Sequence, residues 1–175
     1  IKTFISNYAL TLIKPLIAYI QDYGIALEAH MQNTIVHLDQ EFKMEFLIRD
    51  LGGSRIDLNT LRGRLPHINI TNKSLIAENI EAVIAKFQHA VIQNQMSELI
   101  HHFTQYEDIE ADELFELVRE AVEQSIDPQK AHAQILRQTL FGSKINVKAL
   151  LRMRMEGKVK NYLTIDLDNP LSKEV

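Results

Sequence analysis

The 175-residue chain contains no cysteine. That excludes a disulfide framework, a thiolate zinc site, a cysteine nucleophile and a cysteine-ligated iron–sulfur cluster. Long apolar runs are also missing: none approaches the ~18–20 residues of a membrane span. No basic stretch followed by an apolar segment and a small-residue cleavage site opens the chain. No signal peptide is therefore read, and the cytoplasm is the expected location. Neither sign of charge dominates. The formal net charge of −4 at pH 7 gives no global attraction to nucleic acid or to an anionic membrane. There is no Walker-type glycine-rich loop, no internal repeat and no low-complexity segment.

What is present is ordinary for a soluble globular domain: 46% hydrophobic and 24% charged residues. The length suffices for one domain with a real core. The chain begins at Ile1 rather than Met, as expected of a fragment or a processed chain. Phe4, Tyr8, Leu12, Leu16, Tyr19 and Ile20 recur at helical spacing, so a helix is predicted over about 4–22. Pro15 removes a donor and predicts a kink or restart near Thr11–Lys14, and Gly24 is placed to end the helix. Next come two alternating runs. Val36 and Leu38 alternate with Ile35, His37 and Asp39; Phe42, Met44, Phe46 and Ile48 alternate with Lys43, Glu45, Leu47 and Arg49. Period two in both predicts a hairpin turning at Asp39–Glu41, with one apolar face set against helices. Residues 52–72 hold Gly52, Gly53, Gly63 and Pro66 and read as a long loop, a feature that is often functional.

Beyond it, Ile76, Ile80, Val83, Ile84, Phe87, Val91 and Met96 form a helical stripe, with Ser74 or Thr71 as candidate caps. A second helix is predicted from about Asp112, through Leu114, Leu117, Val118, Ala121 and Val122. Asp127-Pro128 reads as a helix start and Phe141-Gly142 as its end. A last helix is predicted over about 146–155, stopped by Gly157, then a short strand over 162–166. The sum is α+β with helix dominant: a small antiparallel hairpin or sheet on a helical bundle, as one domain spanning 1–175.

The densest polar cluster, Glu28 to Asn33, precedes the first hairpin strand, and Arg49-Asp50 ends the second. If the turn centres near Gln40, Asp50 lies opposite His30; if it centres one or two residues later, Asp50 lies opposite Gln32 or Asn33. Either register gathers Glu28, His30, Asn33 and Asp50 at the open end of one hairpin, within roughly 5–8 Å. The set suits nucleotide chemistry. Mg²⁺ takes one or two carboxylates plus phosphate oxygens and water, and Asp50 with the Asn33 carbonyl supplies such ligands. His30 can exchange a proton with a reacting carboxylate or phosphate. Arg49 can pair with an anion, although strand alternation is expected to turn it from Asp50. The competing reading is a polar strand end that caps its own backbone.

The run Tyr23 to Asn33 meets every fixed position of the pattern Gly-x-x-x-Glu-x-His-x-Gln-Asn, through Gly24, Glu28, His30, Gln32 and Asn33. It resembles the signature of the siderophore synthetases that work independently of nonribosomal peptide synthetases, the aerobactin-synthetase (IucA/IucC) family. Arg49-Asp50-Leu51-Gly52-Gly53-Ser54-Arg55 is similar to the family's next element. Lys148 to Arg154 and Asn169-Pro170-Leu171 resemble its C-terminal stretch. The resemblance implies the palm-like C-terminal domain, often named FhuF-like, of an enzyme that uses ATP and Mg²⁺ to adenylate a carboxylate such as citrate. The acyl group then passes to an amine or alcohol. It implies that His30, Gln32, Asn33 and Asp50 contact ATP, magnesium or the carboxylate, with Glu28 adjacent and Arg49 and Arg55 as further binding residues. His30 is the implied catalytic donor, and Asn33 and Asp50 the implied metal ligands. It implies an N-terminal half as partner, since nothing here matches that half's phosphate-binding segment, and it allows a homodimer. The fragment alone is then expected to be inactive, with the loop 52–72 poorly ordered or rearranged.

Two rivals remain at this point. One is a ferric-siderophore reductase or iron-binding protein, which the lack of cysteine disfavours. The other is a helical interaction module without chemistry. His101-His102 are expected to be solvated, because adjacent helical residues face different ways. His37 and His89 are read as structural. Lys144, Lys148, Arg152, Lys158 and Lys160 form a basic stretch, its first three residues on one helix face. It is read as a solvated face or a second-line contact to anionic substrate, and not as an RNA-binding surface, since no aromatics interleave. Met153 and Met155 are read as packing residues.

Overall fold

The computed structural model describes all residues except 42, 107, 158–162 and 173–175, and leaves the side chains of 148, 150 and 151 undescribed. The first helix, α1 (Lys2–Tyr23), buries Ile5, Tyr8, Ala9, Leu12, Ile13, Leu16, Ile17 and Ile20 along one side. It runs through Pro15 without the expected restart. A proline inside a helix costs about 3 kcal/mol, and burial of this whole stripe offsets it. By length and hydropathy α1 is long and apolar enough to cross a membrane. Counting uninterrupted apolar residues missed this, because Asn7, Lys14 and Gln21 break the runs. Here its apolar side is taken up by the core. Gly24 ends α1 in the left-handed region (φ 66°, ψ 32°), its N–H donating to the Ile20 carbonyl at 2.9 Å. A Cβ at Gly24 would also come within 2.7 Å of the Thr60 Cβ, so the position needs glycine on two counts.

The main partner of α1 is α5 (Ala111–Ser125), whose Leu114, Val118, Ala121 and Val122 are buried. A third helical rod completes the core: α3 (Ile80–Phe87), a π-helical segment over Gln88–Met96, and α4 (Ser97–Tyr106). The buried stripe steps from Phe87 to Val91 and then five residues to Met96, before Ile100. Five is the π-helix repeat, and the Ser97 hydroxyl donates to the Ile92 carbonyl at 2.9 Å within it. The start of the rod differs from expectation. Asn79, not Ser74 or Thr71, is the cap, accepting from the Ala82 N–H at 2.9 Å. Residues Lys73–Leu75 form a separate 3-10 turn capped by Asn72.

Two more expectations are corrected. Asp127 does not start a helix. It accepts from the Gln129 N–H at 2.9 Å in a turn, and the helix α6 (Ala133–Leu140) begins later. The buried Gln21 holds that turn to the end of α1, donating to the carbonyls of Asp127 (2.9 Å) and Ala131 (3.2 Å). The expected last helix is half strand. β5 (Lys144–Lys148) pairs antiparallel with β6 (Thr164–Asp168), and only α7 (Leu150–Met155) is helical. Lys144, Asn146 and Lys148 alternate with Ile145 and Val147, a period of two that the cationic spacing of four obscured. Lys144 pairs with Asp168 at 2.5 Å, so the basic residues share no helix face. Met153 is buried as expected, whereas Met155 is 80% exposed. Tyr162, Lys158 and Lys160 lie outside the described residues, as does Phe42.

Two small sheets set the site. β2 (Thr34–Leu38) pairs antiparallel with β3 (Met44–Ile48), and β1 (Ile25–Ala26) pairs with β4 (Arg55–Ile56). Met44, Phe46 and Ile48 turn onto the helices, with the Phe46 ring edge-on to Tyr8 at 4.8 Å. The stretch read as a loop is largely built: a 3-10 turn over Leu51–Gly53, then β4, then α2 (Leu58–Arg64), capped by Asp57 accepting from the Thr60 N–H at 3.0 Å.

Candidate functional site

The hairpin register decides where the polar residues meet. Thr34 lies opposite Ile48, and the ladder continues with the Arg49 N–H donating to the Asn33 carbonyl at 2.9 Å. Continuing it one step sets Asp50 opposite Gln32, the later-centred of the two registers.

The segment 28–33 is folded on itself by its own polar groups. Asn33 is 5% exposed and its amide nitrogen donates to the Glu28 carbonyl at 3.1 Å. The same nitrogen lies 3.5 Å from His30 Nε2, and the Thr34 hydroxyl donates to the His30 carbonyl at 3.0 Å. Asn33 is thus the pin of the loop through its nitrogen. Asp50 follows the second hairpin strand, exposed, with φ 59° and ψ 79°. Its Oδ1 accepts from the Gly52 N–H at 3.2 Å. A left-handed aspartate is tolerated because its short polar side chain bonds locally, but such conformations cost of order 1–3 kcal/mol and gather at functional sites. Arg49 turns from Asp50, as alternation predicts, and donates twice to the Gln32 carbonyl (3.2 and 3.0 Å). Gln32 itself is exposed. Arg55 donates to the Ser54 carbonyl at 2.8 Å.

Glu28 is bonded by Lys86, a residue of α3 that sequence reasoning missed. Its carboxylate packs against Gly53 through Oε2, which a Cβ there would meet at 1.5 Å. Burial works against the charge of Glu28, but the hydrogen bond from Lys86 and the charges of Lys86, His30 and Arg55 outweigh it. Together they hold the carboxyl below the ordinary glutamate range. No local signal marks Lys86: it is one cation within an apolar stripe. The glycine pair after Asp50 was the available hint, since a second glycine in a turn marks a close approach.

The structure therefore gathers Glu28, His30, Asn33, Asp50 and Arg55 around the hairpin end and adds Lys86; Arg49 and Gln32 form its rim. Lys86, His30 and Arg55 surround the Glu28 carboxylate, while Asp50 is bonded to the Gly52 N–H and exposed. Among the described residues no group of three His, Asp or Glu side chains is arranged to hold a metal alone. A magnesium carried by a nucleotide needs one or two protein carboxylates, and the exposed Asp50 fits that demand. A larger concavity, about 900 Å³, lies elsewhere, between the end of α1 and α2. Within it Asp22 pairs with Lys130 at 2.7 Å and Arg64 at 3.5 Å, and we assign it no chemistry. The single histidines behave as expected. His101 meets Gln105 at 2.8 Å on an exposed helix face, and His89 meets Gln93 at 3.0 Å within the π segment.

Residues 2–163 match the family model for the ferric iron reductase FhuF-like transporter, and the chain belongs to that family. Among curated proteins it is 65% identical to staphyloferrin A synthase of Staphylococcus aureus, over all of this chain and 30% of the relative. It is 27% identical to a spermidine-citrate ligase of Bacillus anthracis, over 93% of this chain and 28% of the relative. The chain thus spans about 30% of the length of the curated relatives it matches. The fold is that of ATP-bound aerobactin synthetase IucA of Klebsiella pneumoniae, at TM-score 0.81 and 22% identity, over 99% of this chain and 30% of that one.

Proposed function

We propose that this chain is the C-terminal part of an ATP-dependent siderophore synthetase, serving iron acquisition, that activates a citrate-like carboxylate and joins it to an amine or alcohol. The observation that supports this most is identity at 65% across the whole chain to a siderophore synthase, with Glu28, His30, Asn33 and Asp50 converging at one hairpin end. The reductase reading and the bare interaction module are not favoured: the similar curated proteins include a synthase and a ligase.

In this reading Asp50, with the Asn33 side-chain oxygen, supplies protein ligands for the magnesium that accompanies ATP; bound Mg-ATP provides the leaving group for carboxylate activation. His30, beside Asn33, donates to the substrate carboxylate and so reduces repulsion between two anions. Arg55 and Arg49 add positive charge at the rim. The other wall of the site, with the phosphate-binding segment, comes from the N-terminal half, and a homodimer is compatible with this division. Reactions that consume ATP place the protein in the cytoplasm.

Calorimetric titration of Mg-ATP tests the reading. The chain, alone or with the N-terminal half supplied, should bind, and Asp50→Ala should weaken binding at least tenfold. No binding in either format, with both halves folded, would remove the synthetase reading.

A further inference from the structure

Lys86 stands outside every motif that pointed to the site, yet it reaches into it. Its helix, α3, is anchored by Val83, Ile84 and Phe87, all 1% exposed or less. The Lys86 side chain is itself 15% exposed and Glu28 26%, so the pair is neither free in solvent nor sealed in the core. Among the described residues, Lys86 is the one group that hydrogen-bonds the Glu28 carboxylate. That carboxylate in turn occupies the space where a side chain at Gly53 would begin, 1.5 Å from Oε2 and 2.3 Å from Cδ. Gly53 ends the 3-10 turn that Asp50 caps, and the turn is closed by the Ser54 N–H donating to the Leu51 carbonyl at 3.1 Å.

We propose that Lys86 is a positioning residue for the candidate nucleotide site: its ammonium seats the Glu28 carboxylate on Gly53, and that seat fixes the turn that presents Asp50. The inference rests on the reading of the hairpin end as a Mg-ATP site. A partly exposed ion pair by itself contributes little; what distinguishes this one is that its carboxylate fills the space over Gly53. The left-handed backbone of Asp50, three residues before that glycine, is a conformation that persists only where surroundings over-determine it. Lys86 carries the rigidity of the helical core to this turn.

The test uses a chain of the relatives' full length carrying this domain, with two readouts: the titration of Glu28 followed by carboxyl carbon NMR, and the affinity for Mg-ATP. Lys86→Met keeps the unbranched stem and removes the donor. It should raise the Glu28 titration and weaken Mg-ATP roughly tenfold. Lys86→Arg should restore the titration and part of the affinity. In a Glu28→Gln background Lys86→Met should add little, because the effect passes through Glu28. If the titration rises but affinity is unchanged, while Asp50→Ala does weaken binding, Lys86 is only structural and the inference is overturned with the site intact. If Lys86→Met weakens binding equally in the Glu28→Gln background, Lys86 acts directly and positioning is overturned. If Asp50→Ala has no effect either, the nucleotide reading itself fails and takes the inference with it.

Discussion

At the residue scale, Asp50 and Gly53 separate backbone needs from chemical ones. Asp50 combines a left-handed backbone with a bond to the Gly52 N–H. Replacement by glycine relieves the first and loses the second, so Asp50→Gly should stay within about 1 kcal/mol of the parent in stability. Asp50→Ala keeps the strained Cβ and loses the bond, so it should fall below Asp50→Gly by about 1 kcal/mol. Both should lose Mg-ATP affinity alike. Urea unfolding beside calorimetry reads the two effects separately, and an equal loss of stability in the two variants would deny the distinction. At Gly53, a Cβ would force the Glu28 carboxylate to swing off the turn. Gly53→Ala should therefore cost about 1 kcal/mol through the displaced Lys86–Glu28 pair and little in a Glu28→Ala background, a non-additivity visible in unfolding midpoints.

Glu28 also gives a pH dependence with a definite sign. Its folded-state carboxyl is held below the ordinary value of 4.5, so the native state binds the proton less readily than the unfolded chain does. The stabilisation is present above that ordinary value and is lost as pH falls through the lowered one. The stability gap between the parent and Glu28→Gln should be largest near neutral pH and close under strongly acidic conditions. Urea titrations at several pH values would show it; a gap constant down to the acid limb would mean that the Lys86 pair contributes nothing.

At the element scale, the most legible features were those whose signal is local and unopposed. Gly24, the pairing of the two hairpin strands and the stripe of α5 stand as read; the apolar face expected of the hairpin is seated only through Met44, Phe46 and Ile48, while Val36 and Leu38 of the first strand are exposed. The failures share a cause: a local signal was outweighed by a contact distant in sequence. Asp127-Pro128 is a good helix start by composition, but Gln21 takes the Asp127 N–H and carbonyl for the turn, at 3.1 and 2.9 Å. The strand at 144–148 exists because Thr164–Asp168 pairs with it, which no window around 144 contains. Pro15 should have broken α1 and did not, because burial along α1 outweighs one lost bond. Since Pro15 is itself exposed, Pro15→Ala restores a donor without opening a cavity and should raise stability by about 1–3 kcal/mol. Thermal unfolding would reveal it, and an unchanged or lower melting temperature would mean that the proline is not strained.

At the scale of the whole molecule, the hairpin explains why the site was legible as a set and not as a geometry. Alternation and turn length bounded the register to within two residues, and either choice brought Glu28, His30, Asn33 and Asp50 together. Lys86 was invisible, because its approach depends on how α3 packs across β1 and β4. The same construction bounds what the chain can bind alone. Its donors come from one hairpin end and one helix, and Asp50, Arg49 and Gln32 are exposed. Ions paired in solvent attract weakly and are screened beyond about 10 Å at 0.1 M salt. The chain by itself should therefore bind Mg-ATP only in the millimolar range, with affinity falling as salt rises. A chain of the relatives' full length should bind far more tightly and with a shallower salt dependence, because a second wall removes water from between the charges. Calorimetry of both at two salt concentrations decides the matter. Equal affinity and equal salt dependence would mean that the hairpin end is a complete site, and that the remaining length of such proteins serves the acceptor or the carboxylate and not the nucleotide.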